Sequence, residues 1–239
     1  PILNVMSGAA KGVGRLLVRD FGEVEKLQVS IKGPADFVSS ADRKADQVLR
    51  ELLGKARPSW GFLTEEGVEV KGSDADNRWI IDPLDGTTNF LHGLPHFCIS
   101  IAHQRGTEIV AGLIYDPLRD ETFAAEKGAG AYLNDQRLRV SARRTLAESV
   151  LATGIPTIRG AETIMPFMKQ LAMVTDKVSA IRRFGSAALD LAYVAAGRYD
   201  GYWESDLRKW DIAAGLVLVR EAGGFVTDLN GAGTMLDSG

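Results

Sequence analysis

The chain has 239 residues, 45% hydrophobic and 25% charged, with a net charge of −3; this suffices to bury a sizeable core in one domain or two intimate subdomains. The near-neutral balance leaves no electrostatic footprint for nucleic acid or an anionic membrane surface. Cys98 is the only cysteine, so there is no disulfide framework, which fits a reducing cytoplasm, and no apolar run approaches membrane-spanning length.

Pro1 stands where a natural start would carry methionine, so a start upstream is expected, and no charged-then-apolar leader opens the chain. "NVMSGAAKGVGRLLVRDFGEV" spaces Val5, Met6, Ala9, Val13, Leu16, Leu17 and Phe21 as one face of a helix, in spite of its glycines. "SSADRKADQVLRELLGKA" is a second helix, with Ser or Asp caps at its start and Ala45, Val48, Leu49, Leu52 and Leu53 inward. "WGFLTEEG" reads as a short strand running out into acids. Beyond residue 96, "FCISIAHQ", "EIVAGLIYDP", "ETFAAEKG" and "AYLNDQRL" are β-rich runs separated by Arg-Gly, Asp-Pro and Lys-Gly, the pattern of an antiparallel meander. The second half alternates. "AETIMPFMKQLAMVTD", "SAALDLAYVAAG" and "WDIAAGLVLVREAGG" read as helices, while "YDGYWE" and "FVTDL" read as strands. That alternation predicts a layered α/β arrangement, with a soft boundary near residues 140–150 and no flexible linker.

Between these halves lies "WIIDPLDGTTNF", residues 79–90. Pro83 removes a backbone donor and holds Asp82 extended, so the strand is expected to end at Asp82 and Asp85 to lie in the following turn. "GTTN" can then open a helical turn, whose exposed N–H groups suit an anion. Two carboxylates suited to a cation thus stand beside donors suited to phosphate, and a hard divalent ion bridges the two. Taken alone, an Asp-x-x-Asp before a turn is most simply a capped strand end. The same explanation must then serve for Glu65 and Glu66 at the end of a strand, Asp42 at the start of the second helix and Asp211 after Trp210. An oxygen-only set without a cysteine or histidine cluster favours Mg²⁺ over Zn²⁺.

Together, "DPLDGTTNF", the "EE" seventeen residues before it, "WD" followed by "AAG" and "EAGG", and the block "RRFGSAALDLAYVAAGRYDGYWE" resemble the inositol monophosphatase family, and most of all its bacterial members. The resemblance covers nearly the whole chain. It implies an α/β (α+β) fold, a layered αβαβα sandwich shared with fructose-1,6-bisphosphatase. Residues 1–239 would form a single phosphatase domain, with an N-terminal α+β subdomain (about 1–145) and a C-terminal α/β subdomain (about 146–239). The implied activity is Mg²⁺-dependent, Li⁺-sensitive hydrolysis of a phosphate monoester in a cytoplasmic homodimer. Inositol 1-phosphate is the expected substrate and a metal-activated water the nucleophile.

Residue by residue, the resemblance implies that Glu65, Asp82 and the carbonyl of Leu84 hold a first magnesium ion. Asp82, Asp85 and Asp211 hold a second, and a weaker third is expected at Glu65. Thr87 and Asp42 would orient the attacking water with Glu66 nearby. Gly86, Thr87 and Thr88 would meet the phosphate; Gly185, Ser186, Ala187 and Glu204 would face the substrate hydroxyls. Two departures stand out: Thr64 replaces a glycine common before the paired glutamates, and members of the family continue past "TMLDSG" with another strand and helix.

The residues leave alternatives open. The same chemistry on fructose-1,6-bisphosphate, NADP(H) or 3′-phosphoadenosine-5′-phosphate is one, with "GTTNF" favouring inositol phosphate. A regulatory or binding protein retaining the fold is another. His92, His96 and His103 read as loop or strand residues rather than ligands, Cys98 as core, and Trp79 and Trp210 as packing. Arg182 and Arg183 read equally as a solvated pair or as phosphate or subunit contacts.

Overall fold

The computed structural model describes residues 1–23, 29–33, 36–156, 161–233 and 235–238. The first helix, α1 (Ile2–Phe21), buries Met6, Ala9, Ala10, Val13, Gly14 and Leu17, an inward stripe at helical spacing. In α2 (Ser40–Ala56) the buried stripe is Ala41, Asp42, Ala45, Asp46, Leu49 and Leu53, so two acids share the inward face with four apolar residues. Between them β1 (Val29–Gly33) and β2 (Asp36–Ser39) pair as an antiparallel ribbon, which the sequence patterning leaves unassigned.

The central sheet has seven strands in chain order: β3 (Gly61–Thr64), β4 (Asn77–Asp85), β5 (Cys98–Arg105), β6 (Glu108–Asp116), β7 (Glu121–Glu126), β8 (Gly130–Leu133) and β9 (Gln136–Arg137). β3 is parallel to β4 and every later pairing is antiparallel, as the meander pattern predicts. Ile81, Ile101 and Leu113 join the core formed with α1 and α2. Ile80, Ala102 and Ile114 join the opposite core with α5 (Ala187–Ala195) and α6 (Lys209–Glu221). With both faces covered, the middle strands need apolar residues at every position, so they lack the alternation of a half-exposed sheet. Each fully buried aliphatic or aromatic side chain contributes about 1.5–3 kcal/mol. Gly112 lets α6 press onto the sheet, because a Cβ there would sit 2.7 Å from Ala214 O and from Val217 Cγ1.

A second sheet has the order β11 (Ala180–Arg182), β10 (Val150–Thr153), β12 (Gly201–Trp203), with both pairings parallel. Parallel neighbours need long crossovers. α4 (Ala161–Thr175) provides the one from β10 to β11, and α5 the one from β11 to β12. α5 also touches β12, giving the succession helix, sheet, helix, sheet of the layered α/β fold. The short helices α3 (Thr87–Leu91) and α7 (Met235–Ser238) and a 3₁₀ turn at Leu146–Glu148 complete the described elements.

Four sequence expectations fail locally. Leu52, expected inward, is 42% exposed, because the buried stripe of α2 runs through Ala45, Leu49 and Leu53 instead. β4 does not stop at Asp82. It runs to Asp85, with Asp82 opposite Ser100 and Asp85 opposite Cys98, so that Pro83 and Leu84 together face Ile99. This is a β-bulge, where a proline without an N–H costs no ladder bond. The run at 131–138 is two strands rather than one, because Asn134 takes a left-handed φ of 52° and turns the chain back. Residues 225–229 form no strand and pair with no strand among the described residues; Val226 and Thr227 line a cleft together with Tyr202 and Trp203, and Phe225 is 96% exposed.

Candidate active site

The bulge in β4 decides where the acids point. Asp82 is buried, and its Oδ1 accepts the N–H of Leu84 at 3.0 Å, closing the backbone around the bulge. The chain then turns at Gly86, whose φ of 93° is left-handed, and a Cβ there would lie 2.9 Å from His96 O. α3 starts at the next residue, so the N–H groups of its first turn have no intrahelical partner. Thr87 Oγ1 lies 2.9 Å from Leu84 O, to which it donates, and 3.3 Å from Asp42 Oδ2, which the inward face of α2 delivers.

Glu65 and Glu66 follow β3, and the N–H of Glu65 still bonds Ile81 O at 3.2 Å, carrying the parallel register one residue past the strand. Glu65 is thereby set beside Asp82. Asp211 arrives from the other side. It lies in the first turn of α6, where its Oδ2 accepts the N–H of Arg208 at 2.6 Å. Asp85 Oδ2 accepts from Ser186 Oγ at 2.6 Å and Ala188 N at 2.8 Å, with Cys98 Sγ at 3.7 Å.

The electrostatics show the convergence that spacing alone could not. Burial raises the Asp82 carboxyl well above the ordinary carboxylate range, and the negative charges of Glu65, Asp85, Asp211 and Asp42 raise it further. Burial also raises Asp211, against the opposing Arg208 N–H, with Asp85, Glu65 and Glu204 adding repulsion. Asp85 is raised by burial in spite of its hydrogen bonds to Ser186, Ala188, Cys98 and Ala187. Such a cluster of acids is penalised twice, by lost solvation and by mutual repulsion, and a cation relieves both.

Among the described residues, no group of three or more His, Cys, Asp or Glu side chains is arranged to hold a metal ion as it stands. Asp85 and Asp211 each turn an oxygen onto protein donors instead. The donor chemistry nonetheless fits a hard divalent cation, since the repelling groups offer only oxygen.

The second wall comes from the three-stranded sheet and α5. Glu204, just after β12, is pushed up to about 7, by burial first and then against the pull of a Tyr202 hydrogen bond; Asp85 raises it and Arg183 lowers it. Gly185 is left-handed at φ 78°. Ala187 is buried, and its N–H goes to Asp85. Ser186, expected beside the substrate, is 1% exposed with its hydroxyl committed to Asp85. Thr88 is exposed.

Two groups escaped the sequence reading. Asn89 is buried, and its Nδ2 lies 2.8 Å from His96 O, 2.7 Å from Phe184 O and 3.4 Å from Gly185 O, tying α3 to the segment before α5. Asp190 is buried in α5 and pushed up to about 8, mainly by burial, with Asp85 and Glu204 adding repulsion. A single acid inside the apolar run "AALDLAYVA" was its visible signal.

The remaining residues pack. His103 Nε2 lies 2.8 Å from Asn77 Oδ1, and the ring stacks on Trp60 at 4.1 Å. His96 lies between Phe184 and Tyr193; burial lowers both histidines to about 4. His92 is exposed. Cys98 is core and also the floor under Asp85. Trp79 is fully buried against Trp60, and the carbonyl of Trp210 accepts from Ser100 Oγ. Arg182 and Arg183 are exposed, Arg183 facing Asp190 and Glu204 electrostatically. Thr64 Oγ1 is engaged by the guanidinium of Arg50, which also bonds Asp46, so the departure from glycine anchors the loop that carries Glu65. No helix among the described residues is long and apolar enough to cross a membrane.

Comparison with known proteins gives this geometry a context. The inositol monophosphatase family matches residues 1–239. An inositol-1-monophosphatase of Rhizobium meliloti (strain 1021) is 58% identical over 238 residues, spanning 100% of this chain and 89% of that protein. Nus factor SuhB of Escherichia coli (strain K12) is 44% identical over 231 residues, 97% of this chain and 86% of that protein. The crystal structure of extragenic suppressor protein suhB from Bartonella henselae superimposes with a TM-score of 0.96 at 57% identity, covering 99% of this chain and 91% of that one. The chain belongs to the inositol monophosphatase family and is a phosphatase of that family.

Proposed function

We propose that this phosphatase hydrolyses inositol 1-phosphate to inositol and phosphate by direct attack of water. One observation carries the reading. The negative charges of Glu65, Asp85, Asp211 and Asp42 raise the proton affinity of buried Asp82, those of Asp85 and Glu65 raise that of Asp211, and Asp42 also reaches Thr87 at the head of α3. Glu65, Asp82, Asp85, Asp211 and the carbonyl of Leu84 would hold two Mg²⁺ ions, with a weaker third at Glu65. Bound there, Mg²⁺ lowers the pKa of water and offsets charge on the phosphate and the leaving oxygen.

The chain's own groups do the rest. Thr87 Oγ1, donating to Leu84 O beside Asp42 Oδ2, accepts a hydrogen bond from one O–H of the attacking water. Asp42 or Glu66 takes the water's other proton as its oxygen bonds phosphorus and the ester P–O bond breaks, the leaving alkoxide gaining a proton from solvent. The N–H groups of Gly86, Thr87 and Thr88 face the phosphate, while Ser186, Ala187 and Ala188 hold Asp85 still from the opposite wall. Gly185 leaves room for the alcohol, and Glu204 bonds its hydroxyls. Lithium sensitivity, a homodimer and a cytoplasmic setting belong to the same reading, supported by family membership and the lone buried cysteine.

Phosphate release from inositol 1-phosphate, fructose-1,6-bisphosphate, NADP(H) and 3′-phosphoadenosine-5′-phosphate, each with and without Mg²⁺, tests the proposal. Inositol 1-phosphate should give the highest kcat/KM, and only with Mg²⁺. A different leading substrate would move the assignment within the same chemistry. Relatives named Nus factor at 44% identity support a second reading, a binding role for the same fold, which absence of release from every substrate class would favour.

A further inference from the structure

Gly154 follows β10 where that strand leaves the three-stranded sheet toward the acids. β10 and β12 are parallel, with Leu151 opposite Gly201, Ala152 opposite Tyr202 and Thr153 opposite Trp203. Thr153 Oγ1 reinforces this register by donating to Trp203 O at 2.8 Å. One step further along the register stands Gly154 beside Glu204, and the approach is very close. A Cβ on Gly154 would fall 1.7 Å from Glu204 Cδ, and 1.8 and 2.0 Å from its two carboxylate oxygens. No side chain fits there while Glu204 keeps its place.

Backbone strain does not explain the glycine. Gly154 is not among the glycines with positive φ, so alanine could adopt its backbone angles. It is buried, so solvent does not fill the space either. What occupies the side-chain position is the Glu204 carboxylate. Across from it, the Tyr202 hydroxyl donates to Glu204 Oε2 at 2.5 Å. The carboxylate is therefore fixed between a missing side chain and a phenol, within electrostatic reach of Asp85.

We infer that Gly154 is a specificity-determining positioning residue: its absent side chain is the seat of the Glu204 carboxylate, which the seat aims at the hydroxyls of a polyol phosphate. The inference rests on the proposed role of Glu204 and names the residue that makes that role geometrically available. Its substrate class is a phosphate monoester whose alcohol carries a hydroxyl near the ester carbon. With alanine at 154, the carboxylate must swing off Tyr202 and lose its aim at that hydroxyl. A lost hydrogen bond to a charged group corresponds to roughly a ten- to hundredfold loss.

A double-mutant cycle tests this with Gly154→Ala, Glu204→Ala and the combined variant. The readouts are thermal midpoint and the ratio of kcat/KM on inositol 1-phosphate to that on p-nitrophenyl phosphate, which has no aliphatic hydroxyl. Gly154→Ala should lower both the midpoint and the ratio, the ratio by about ten- to a hundredfold. In the Glu204→Ala background the same change should alter neither, because the seat is already empty. Equal losses in both backgrounds would overturn the inference and make Gly154 a backbone requirement. Coupled midpoints without a change in ratio would leave the steric seat and overturn its part in specificity. If inositol 1-phosphate is not hydrolysed, the ratio is taken with the best hydroxylated substrate; coupling there upholds the seat while the proposed substrate falls.

Discussion

The two walls of the site are built differently. β4, which carries Asp82 and Asp85, is buried from Trp79 to Leu84 and sits inside a seven-stranded sheet covered on both faces. β12, which leads to Glu204, is only half-buried over its three residues and belongs to a three-stranded sheet. Under the function proposed above, the contrast matches two tasks. Holding acids that repel one another needs a rigid frame, because relaxation would let them separate. Recognising an alcohol needs a surface that can vary without disturbing those acids. Asp85 and Asn89 join the walls, the first through Ser186 and Ala188, the second through Phe184 and Gly185.

The contrast breaks most severely at Asp85. Asp85→Asn should cut turnover on every phosphate monoester by about 10³-fold or more, equivalent to roughly 4 kcal/mol of transition-state stabilisation. Urea denaturation without cations should show unchanged or slightly higher stability, since one repelling charge is gone. Next come Asp211, in the first turn of α6, and Glu204, just after β12. Asp211→Asn should raise the Mg²⁺ requirement and lower kcat for all substrates. Glu204→Gln should change the ranking among substrates by roughly ten- to a hundredfold, with the Mg²⁺ titration little moved. Equal losses on inositol 1-phosphate and p-nitrophenyl phosphate for Glu204→Gln would erase the division between the walls.

Asn89 tests the link itself. Asn89→Ala should lower stability by about 1–3 kcal/mol in urea denaturation, because buried carbonyls lose their donor. Asn89→Asp should do no better near neutral pH, because a carboxylate cannot donate.

The mildest probe is pH. Asp190 is raised from 3.8 to about 8 and Glu204 from 4.5 to about 7, burial being the main cause of each. Between the unfolded and folded values the folded protein keeps a proton that the unfolded chain has lost. Without cations, stability should therefore fall as pH rises from about 4 toward 8, then level off. Asp190→Asn should flatten the upper part of that slope and stabilise by about 1–2 kcal/mol at pH 8 in urea titrations. An unchanged slope would remove Asp190 from the buried charge network.

Much of this was legible in the sequence because period and punctuation report local geometry. The inward stripe of α1, the meander and the apolar α5 follow from residue spacing, as does that of α2 apart from the exposed Leu52 and the buried acids Asp42 and Asp46. The acids were visible one by one, and their meeting was not, since tertiary folding brings Asp42 from α2 and Asp211 from α6 to β4. Pro83 misled for a physical reason: it forbids a ladder bond, which ends a regular strand but suits a bulge. Residues 225–229 have strand-like composition, yet no strand edge among the described residues pairs with them. Gly154 gave no signal at all, because a glycine that only leaves space for a distant side chain looks like any other loop glycine.

The central claim is that the acids around Asp82 make a cation-dependent phosphatase site. A Mg²⁺ titration of phosphate release from inositol 1-phosphate tests it most directly. The account predicts no release in chelator and a saturable rise with Mg²⁺. Release that is independent of Mg²⁺, or absent at every Mg²⁺ concentration, would contradict it.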